Sequence, residues 1–254
     1  MITIKDLKKR FEDVVVFDGL NLKTKVGQIT AIFGPNGCGK STLLQIISGL
    51  EGYEEDDIYI QNHRVNFDPA NLSLNHGLSY VFQHPNLFPW LNSFHNIAFP
   101  LKVRKIKKKE IDRQVAEMYQ LFNCNFDLSL YPYQLSGGQR RLVSLMRHLV
   151  TNPTVLLLDE PFSALDDKNR FHLYSLLQNY YLSKKPTILL ITHNAEEAAY
   201  LASRIIVMTD KPTQIAGEVY NPLSYPRTLE TLKTEEFRKV EDEILSISRS
   251  TVTI

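Results

Sequence analysis

Nine consecutive residues, from position 34 to 42, have the types and spacing needed to bind a phosphate chain. They read Gly34, Pro35, Asn36, Gly37, Cys38, Gly39, Lys40, Ser41 and Thr42, which fits G-x-x-x-x-G-K-[ST] at every fixed position. Glycines let the backbone wrap closely around an anion, so that successive N–H groups point inward. We expect Lys40 to reach the β- and γ-phosphates of a nucleotide and the Ser41 hydroxyl to ligate Mg²⁺.

Two carboxylates, Asp159 and Glu160, follow the apolar run 154–158. A strand that ends in this way places them at the carboxyl edge of a sheet, where α/β proteins bind ligands. We expect Asp159 to ligate Mg²⁺ and Glu160 to polarise the water that attacks the γ-phosphorus. A strand-end Asp-Glu pair alone is usually a surface feature, but the phosphate loop upstream favours catalysis.

The elements that must position these groups alternate between strands and helices. Residues 2–33 read as short strands broken by turns, the last of them leading into the phosphate loop. Further strands are predicted at 58–60, 78–82, 154–158, 187–191 and 204–208, and helices near 40–48, 111–122, 142–149, 168–182 and 195–202. This βαβ alternation predicts a parallel sheet covered by helices, interrupted by a helical block over about 86–150.

Composition excludes several other classes of protein. The 254 residues are 43% hydrophobic, with a net charge of +1, which gives no global field for nucleic acid or an anionic membrane. The basic run 102–109 lacks interleaved aromatic residues, so a solvated surface is favoured over a nucleic-acid site. No signal peptide or membrane-spanning run is evident, and two cysteines give no disulfide framework.

Residues 135–139 decide the family resemblance, because Leu135-Ser136-Gly137-Gly138-Gln139 reads as the signature of ABC ATPases. The chain strongly resembles this ATP-binding-cassette family over nearly its whole length. The resemblance implies an α/β P-loop NTPase (RecA-like) core with N-terminal antiparallel strands and an inserted α-helical subdomain. We expect one domain over 1–254, with the core at about 1–84 and 151–225, the helical subdomain at about 85–150 and a helical tail at about 226–254.

In this family the signature of one copy closes on ATP held by the phosphate loop of the other. The resemblance therefore implies two ATP sites in a homodimer, with Ser136, Gly137, Gly138 and Gln139 as a second phosphate cradle. Further residues match family motifs: Phe11 for adenine stacking, Gln83 for Mg²⁺, Asp166 at the dimer interface and His193 for the γ-phosphate. Alone, Phe11 and His193 would more often be packing or structural residues.

Four residues depart from the family pattern without touching phosphate chemistry. Leu142 stands where many relatives carry a basic residue, and Asn194 where Asp is common. Asp56 and Asn62 replace glycines in turns, and both side chains tolerate a positive φ better than most.

A last group of features resembles the nitrate, sulfonate and taurine importer branch, which includes thiamine-precursor systems. Phe88-Pro89-Trp90-Leu91 forms an apolar patch where the family docks a permease helix, although it could also be a turn packed within the helical subdomain. Tyr225-Pro226-Arg227 resembles the branch's Pro-Arg motif. The resemblance implies an ATPase at the cytoplasmic face of the membrane, with permease subunits and, indirectly, a solute-binding protein. The alternative is an exporter or lipid-extraction complex.

Overall fold

The computed structural model describes residues 1–53, 57–65, 77–163 and 165–250. Within them the strands form two sheets, which helices cover. The strands are β1 (Ile2–Phe11), β2 (Val14–Lys23), β3 (Ile29–Phe33), β4 (Asp57–Ile60), β5 (His63–Arg64), β6 (Leu78–Val81), β7 (Val155–Asp159), β8 (Thr187–Thr192), β9 (Arg204–Met208) and β10 (Ile215–Tyr220). The helices are α1 (Lys40–Ser48), α2 (Ser93–Val103), α3 (Lys108–Leu121), α4 (Gly137–Leu149), α5 (Asp167–Lys184), α6 (Ala195–Leu201) and α7 (Glu235–Ser250).

The N-terminal sheet is antiparallel and has the strand order β2-β1-β4-β5. The sequence predicted short strands here, but β1 and β2 each have ten residues. The difference arises from an irregularity between Ile4 and Leu7, where Asp6 has a φ of +55°. A bulge of this kind interrupts the period of two without ending the strand, so the sequence pattern reads as a break.

The central sheet has the order β10-β9-β3-β8-β7-β6, in which all neighbours except β10 and β9 are parallel. β3, β7 and β8 are buried along their whole length, which explains their unbroken apolar sequences. Their carboxyl ends meet at one edge of the sheet, and Asp159, Thr192 and the start of the phosphate loop lie there. The fold class predicted from the sequence is therefore confirmed.

Helices α2, α3 and α4 lie between β6 and β7 in the chain and form the predicted helical insertion. Helix α2 was not among the predicted helices, and Pro100 inside it weakens the helical pattern of its sequence. β10 was also missed, because Gly217 interrupts its apolar pattern. At the C-terminal end, α7 lies within the predicted helical tail and packs through Phe237, Val240 and Ile244. Among the described residues, no helix combines the length and apolar character that a membrane span requires.

Candidate functional site

The phosphate loop connects the buried strand β3 to helix α1, and its backbone requires glycine. Gly37 has a φ of +83° and Gly39 a φ of +108°. A Cβ atom on Gly39 would lie 2.5 Å from Val16 Cγ1, so the β1–β2 ribbon lies directly against the loop. The Lys40 ammonium donates to the carbonyls of Gly34 (3.0 Å) and Pro35 (2.7 Å), which holds its charge over the loop.

The side chain of Cys38 belongs to the hydrophobic core beneath the loop. It is fully buried, and burial raises the pKa of its thiol. The Thr213 hydroxyl donates to the Cys38 carbonyl and fixes the underside of the loop. Sequence reasoning did not single out Thr213, since a threonine 175 residues along the chain carries no motif that connects it to this loop.

The Ser41 hydroxyl and the Asp159 carboxylate meet at the start of α1. Ser41 Oγ donates to Asp159 Oδ1 at 2.9 Å, and the Tyr80 hydroxyl donates to Asp159 Oδ2 at 2.7 Å. Burial, followed by the Asp159 charge, raises the pKa of Tyr80, so its phenol keeps the proton that it donates. Tyr80 is a second functional residue that sequence reasoning missed, because a tyrosine in a buried strand reads as ordinary packing.

Three of the predicted catalytic side chains lie in direct contact. Glu160 Oε2 accepts from Gln83 Nε2 at 3.3 Å, and Glu160 Oε1 lies 3.1 Å from His193 Nδ1. Since an ionised carboxylate only accepts, this second hydrogen bond requires the proton on Nδ1 of His193. The Glu160 backbone has a φ of +42°, a left-handed conformation that is strained for a residue with a side chain. The Ser163 hydroxyl donates to the Glu160 carbonyl at 2.9 Å and supports this turn.

The signature residues form the N-terminus of helix α4, where Ser136 is the N-cap. Ser136 Oγ accepts from the Gln139 N–H at 3.2 Å, and Gln139 Oε1 accepts from the Ser136 N–H at 2.8 Å. A Cβ on Gly138 would approach Asn169 Oδ1 to 3.1 Å, while Asn169 itself donates to the Asp166 carboxylate. The signature therefore lies against the start of α5, near Asp166. The contact of Glu160 with Gln83 and His193 lies next to Asp159, which bonds to Ser41 of the phosphate loop. Ala164, two residues before Asp166, lies outside the described residues.

One face of α4 holds the segment that follows β6 by its backbone. The Arg141 guanidinium donates to the carbonyls of Gln83 and, at 3.4 Å, Ser163. Ser144 Oγ donates to Pro85 O at 2.9 Å, and Arg147 donates to Pro85 O at 3.0 Å and Asn86 O at 2.9 Å. These three buried residues are spaced three apart and therefore share a helix face. They were not predicted, although this spacing of polar residues in α4 is visible in the sequence.

Phe11 ends β1 with 43% of its surface exposed, and the Lys9 ammonium lies 4.4 Å from its ring centroid. Its exposure leaves a face on which a base could stack.

Among the residues that depart from the family pattern, Leu142 is buried in the core around α4, and Asn62 has the positive φ (+69°) expected of its turn. Asn194 caps α6 by accepting from the Glu197 N–H at 3.0 Å, as aspartate would. Asp56 lies outside the described residues.

The predicted apolar patch lies partly on the surface. Trp90 is 70% exposed, Pro89 is exposed, and Phe88 and Leu91 are half-buried. Phe88 packs on Phe99 at 4.6 Å between ring centroids and borders a groove of about 430 Å³, lined also by Phe82, Val103 and Arg147. The basic run 102–109 is exposed next to this groove, except for the half-buried Ile106.

Comparisons with known proteins agree with this arrangement. The family model for ABC transporters matches residues 17–163. An aliphatic sulfonates import ATP-binding protein of Bacillus cereus is 38% identical over 235 residues, which cover 92% of this chain and 90% of the relative. A spermidine/putrescine import ATP-binding protein of Thermotoga maritima is 38% identical over 226 residues, or 89% of this chain and 60% of the relative.

Among solved structures, the dimeric ATP-binding cassette MJ0796 in a post-hydrolysis state with ADP and Pi is similar throughout. It is 29% identical, with a TM-score of 0.78, and the similarity covers 88% of this chain and 100% of that one. The family model spans more than half of the chain, and the Bacillus cereus relative extends the similarity over almost all of it. The chain therefore belongs to the ABC transporter family.

Proposed function

We propose that this chain binds and hydrolyses ATP to energise a membrane importer for a small solute. The observation that carries the proposal is the contact of Glu160 with both Gln83 and His193, one residue beyond the Asp159–Ser41 pair. The matched relatives support import, because both are import ATP-binding proteins. Their solutes are chemically different, namely aliphatic sulfonates in one case and spermidine or putrescine in the other. The sulfonate-type importer branch is the class that we propose.

The residues at the phosphate loop fit Mg²⁺. Ser41 Oγ and Asp159 Oδ1 converge to 2.9 Å, and the Gln83 amide is tied to the adjacent residue Glu160. Among the described residues no group of three or more His, Cys, Asp or Glu side chains could hold a metal, which suits an ion held mainly by phosphates and water. Ser41, Asp159 and Gln83 would hold Mg²⁺, which supplies charge neutralisation on the phosphates.

Different residues of the chain have different roles in the proposed hydrolysis. The loop N–H groups and Lys40 bind the β- and γ-phosphates, and exposed Phe11 stacks on adenine. A Glu160 carboxylate oxygen accepts the proton of the attacking water. Nδ1–H of His193 donates to that carboxylate and holds it in place. The turn at Glu160 is supported by Ser163, so the base is oriented before ATP binds.

A second copy would complete each site. Ser136 to Gln139 present a capped helix N-terminus next to Asn169, which donates to Asp166. A helix N-terminus attracts anions, so we propose that this cradle closes on ATP bound to the partner copy. The dimeric form of the matched cassette MJ0796 supports this assembly.

The groove beside Phe88 and Trp90 is the proposed contact with the permease, at the cytoplasmic face of the membrane. Exposed aromatic residues around an apolar groove are typical of a site that receives a partner helix. We further propose that a solute-binding protein delivers the solute to that permease.

The test of the catalytic proposal is Glu160→Gln, which preserves shape while removing the base. The variant should bind Mg-ATP and form a stable dimer by size-exclusion chromatography, while ATP turnover falls about 100-fold or more, as expected for loss of a general base. Wild-type chain with ADP serves as the control and should elute as a monomer. Normal hydrolysis by the variant would refute the role of Glu160.

A further inference from the structure

Arg227 is among the most deeply buried side chains of the structure, and within the described residues its guanidinium donates to main-chain carbonyls. It is 1% exposed. Its Nη1 donates to the carbonyls of Ala199 (2.8 Å), Tyr200 (3.1 Å) and Ala202 (2.8 Å), and its Nη2 donates to that of Leu223 (2.8 Å). Burial lowers the pKa of the guanidinium, and these carbonyl dipoles replace the water that it has lost.

Three of the four carbonyls that the Arg227 guanidinium contacts, those of Ala199, Tyr200 and Ala202, belong to the end of α6. The last four carbonyls of a helix have no partner within the helix. Asn221 Nδ2 donates to Ala199 O (2.7 Å) and Ala202 O (3.0 Å), and the Tyr225 hydroxyl donates to Leu201 O (2.5 Å). Residues 221–227 therefore cap this helix end, and the Arg227 cation also complements its partial negative charge.

Helix α6 depends on such a cap because it is short. It has seven residues, far fewer than the roughly 12–15 at which an isolated helix becomes marginally stable. Its other end begins at Asn194, whose N–H donates to Thr192 Oγ1 at 3.0 Å and whose side chain caps the helix. His193 lies between Thr192 and Asn194, so any tilt of α6 displaces the candidate catalytic histidine.

The same segment ties α6 to α5. Arg227 O accepts from Gln178 Nε2 (3.1 Å) and from the Tyr200 hydroxyl (2.6 Å), and the Arg227 N–H donates to Gln178 Oε1 (2.7 Å). α5 begins at its N-cap, Asp166. Arg227 thus joins α5 and α6. Asp166 is the N-cap of α5, and His193 directly precedes the N-cap of α6.

We propose that Arg227 is a positioning residue for ATP hydrolysis, which acts by holding α6 and, through it, His193. This inference rests on the proposed function, since it needs His193 to support the catalytic base. Arg227 touches no nucleotide-binding residue of the phosphate loop, so its loss should lower turnover and leave ATP binding by the single chain intact.

The test combines Arg227→Lys with His193→Ala in a double-mutant cycle. Lysine keeps the charge but cannot reproduce the fork of bonds to four carbonyls. We expect Arg227→Lys to lower single-turnover hydrolysis about 10- to 100-fold, because misplacing a catalytic group by ~1 Å can have that effect. Its affinity for ATP should change less than about twofold. Tyr225→Phe, which removes the hydroxyl that donates to Leu201 O and leaves the Arg227 bonds in place, should give a smaller loss of the same kind. Lys233→Met, an exposed change in the same C-terminal part, should hydrolyse ATP normally.

The cycle separates positioning from general destabilisation. In a His193→Ala background, Arg227→Lys should cause little further loss of hydrolysis. If Arg227→Lys causes an equal loss of hydrolysis in both backgrounds, the inference is overturned. A fall in the ATP affinity of Arg227→Lys that parallels its fall in melting temperature would overturn it as well. Either result leaves the proposed function intact. If Arg227→Lys does not fold, the same cycle is run with Tyr225→Phe. A His193→Ala chain with full activity would contradict both the inference and the role of His193, whereas the Glu160→Gln experiment tests the base independently.

Discussion

Replacement of Trp90 by alanine should uncouple this chain from its permease while barely affecting its fold. Trp90 is 70% exposed, so only about a third of its surface is hidden. A tryptophan buries at most roughly 250 Å². The hidden part is then ~75 Å², worth about 2 kcal/mol at ~25 cal/mol per Å². The Phe88 ring, 5.4 Å away between centroids, is the aromatic contact that would be lost.

A core tryptophan would behave differently, since its truncation costs roughly 3–5 kcal/mol. Trp90→Ala should therefore lower the melting temperature by about 4–8 °C, at roughly 2–4 °C per kcal/mol for a chain of this size. ATP hydrolysis by the isolated chain should persist. As an interface anchor worth ~2 kcal/mol or more, Trp90 should account for at least about a 30-fold loss of affinity for the permease.

The assay is co-purification with co-expressed permease subunits, together with thermal unfolding and ATPase measurements on the isolated chain. Tyr220→Ala is the matched control, because Tyr220 is a comparably exposed aromatic (63%) on β10, away from the groove. Retention of the permease by Trp90→Ala would refute the docking site. A drop of more than ~10 °C with a proportionate loss of ATPase would show instead that Trp90 is part of the core.

Two further predictions concern the signature and a buried carboxyl. Ser136→Arg should abolish turnover while ATP binding by the monomer stays nearly intact, because in the proposed dimer the signature contacts the partner's nucleotide. A large loss of monomer binding, measured by equilibrium titration, would contradict the two-chain site. Glu197→Gln should raise the melting temperature, and more at pH 9 than at pH 5. Burial raises the pKa of Glu197 to about 8, so its contribution to stability is full below about 4.5, the pKa of a glutamate in the unfolded chain, and is lost as the pH rises through 8. Glutamine mimics the protonated acid, so an equal difference at both pH values would refute this.

The sequence predicted those parts of the candidate site that are short motifs for binding phosphate and Mg²⁺. The phosphate loop and the strand-end pair Asp159–Glu160 are contiguous in sequence and have few physical solutions, so their spacing alone was sufficient. The contact of Glu160 with Gln83 and His193 could also be expected, because parallel neighbouring strands end at the same edge. The roles of these residues, and the domain boundaries near 85 and 150, remain proposals.

What the sequence did not predict depends on contacts between distant segments. Tyr80 reads as a core residue until β6 is placed next to β7, where its hydroxyl reaches Asp159. Thr213 reads as a turn residue until it bonds to Cys38. Whether Trp90 is buried likewise depends on how α2 packs, which its sequence pattern with an internal proline does not reveal. Periodicity identifies elements, but side-chain partners across elements follow only from the assembled fold.

Three buried arginines show how the fold sets the geometry of the chemistry. Arg141 and Arg147 donate to the carbonyls of the segment 83–86, and Arg227 donates to those at the end of α6. Both segments are places where the backbone leaves regular structure and needs partners for its carbonyls. A planar guanidinium can bond to several carbonyls at once without being deprotonated, which lysine cannot match. Gln83, whose side chain contacts Glu160, lies in the first segment, and His193, which also contacts Glu160, precedes the other end of α6. In the proposed mechanism the motifs supply the reacting groups, while arginines outside the phosphate-binding motifs hold the backbone segment of Gln83 and the far end of the helix that follows His193.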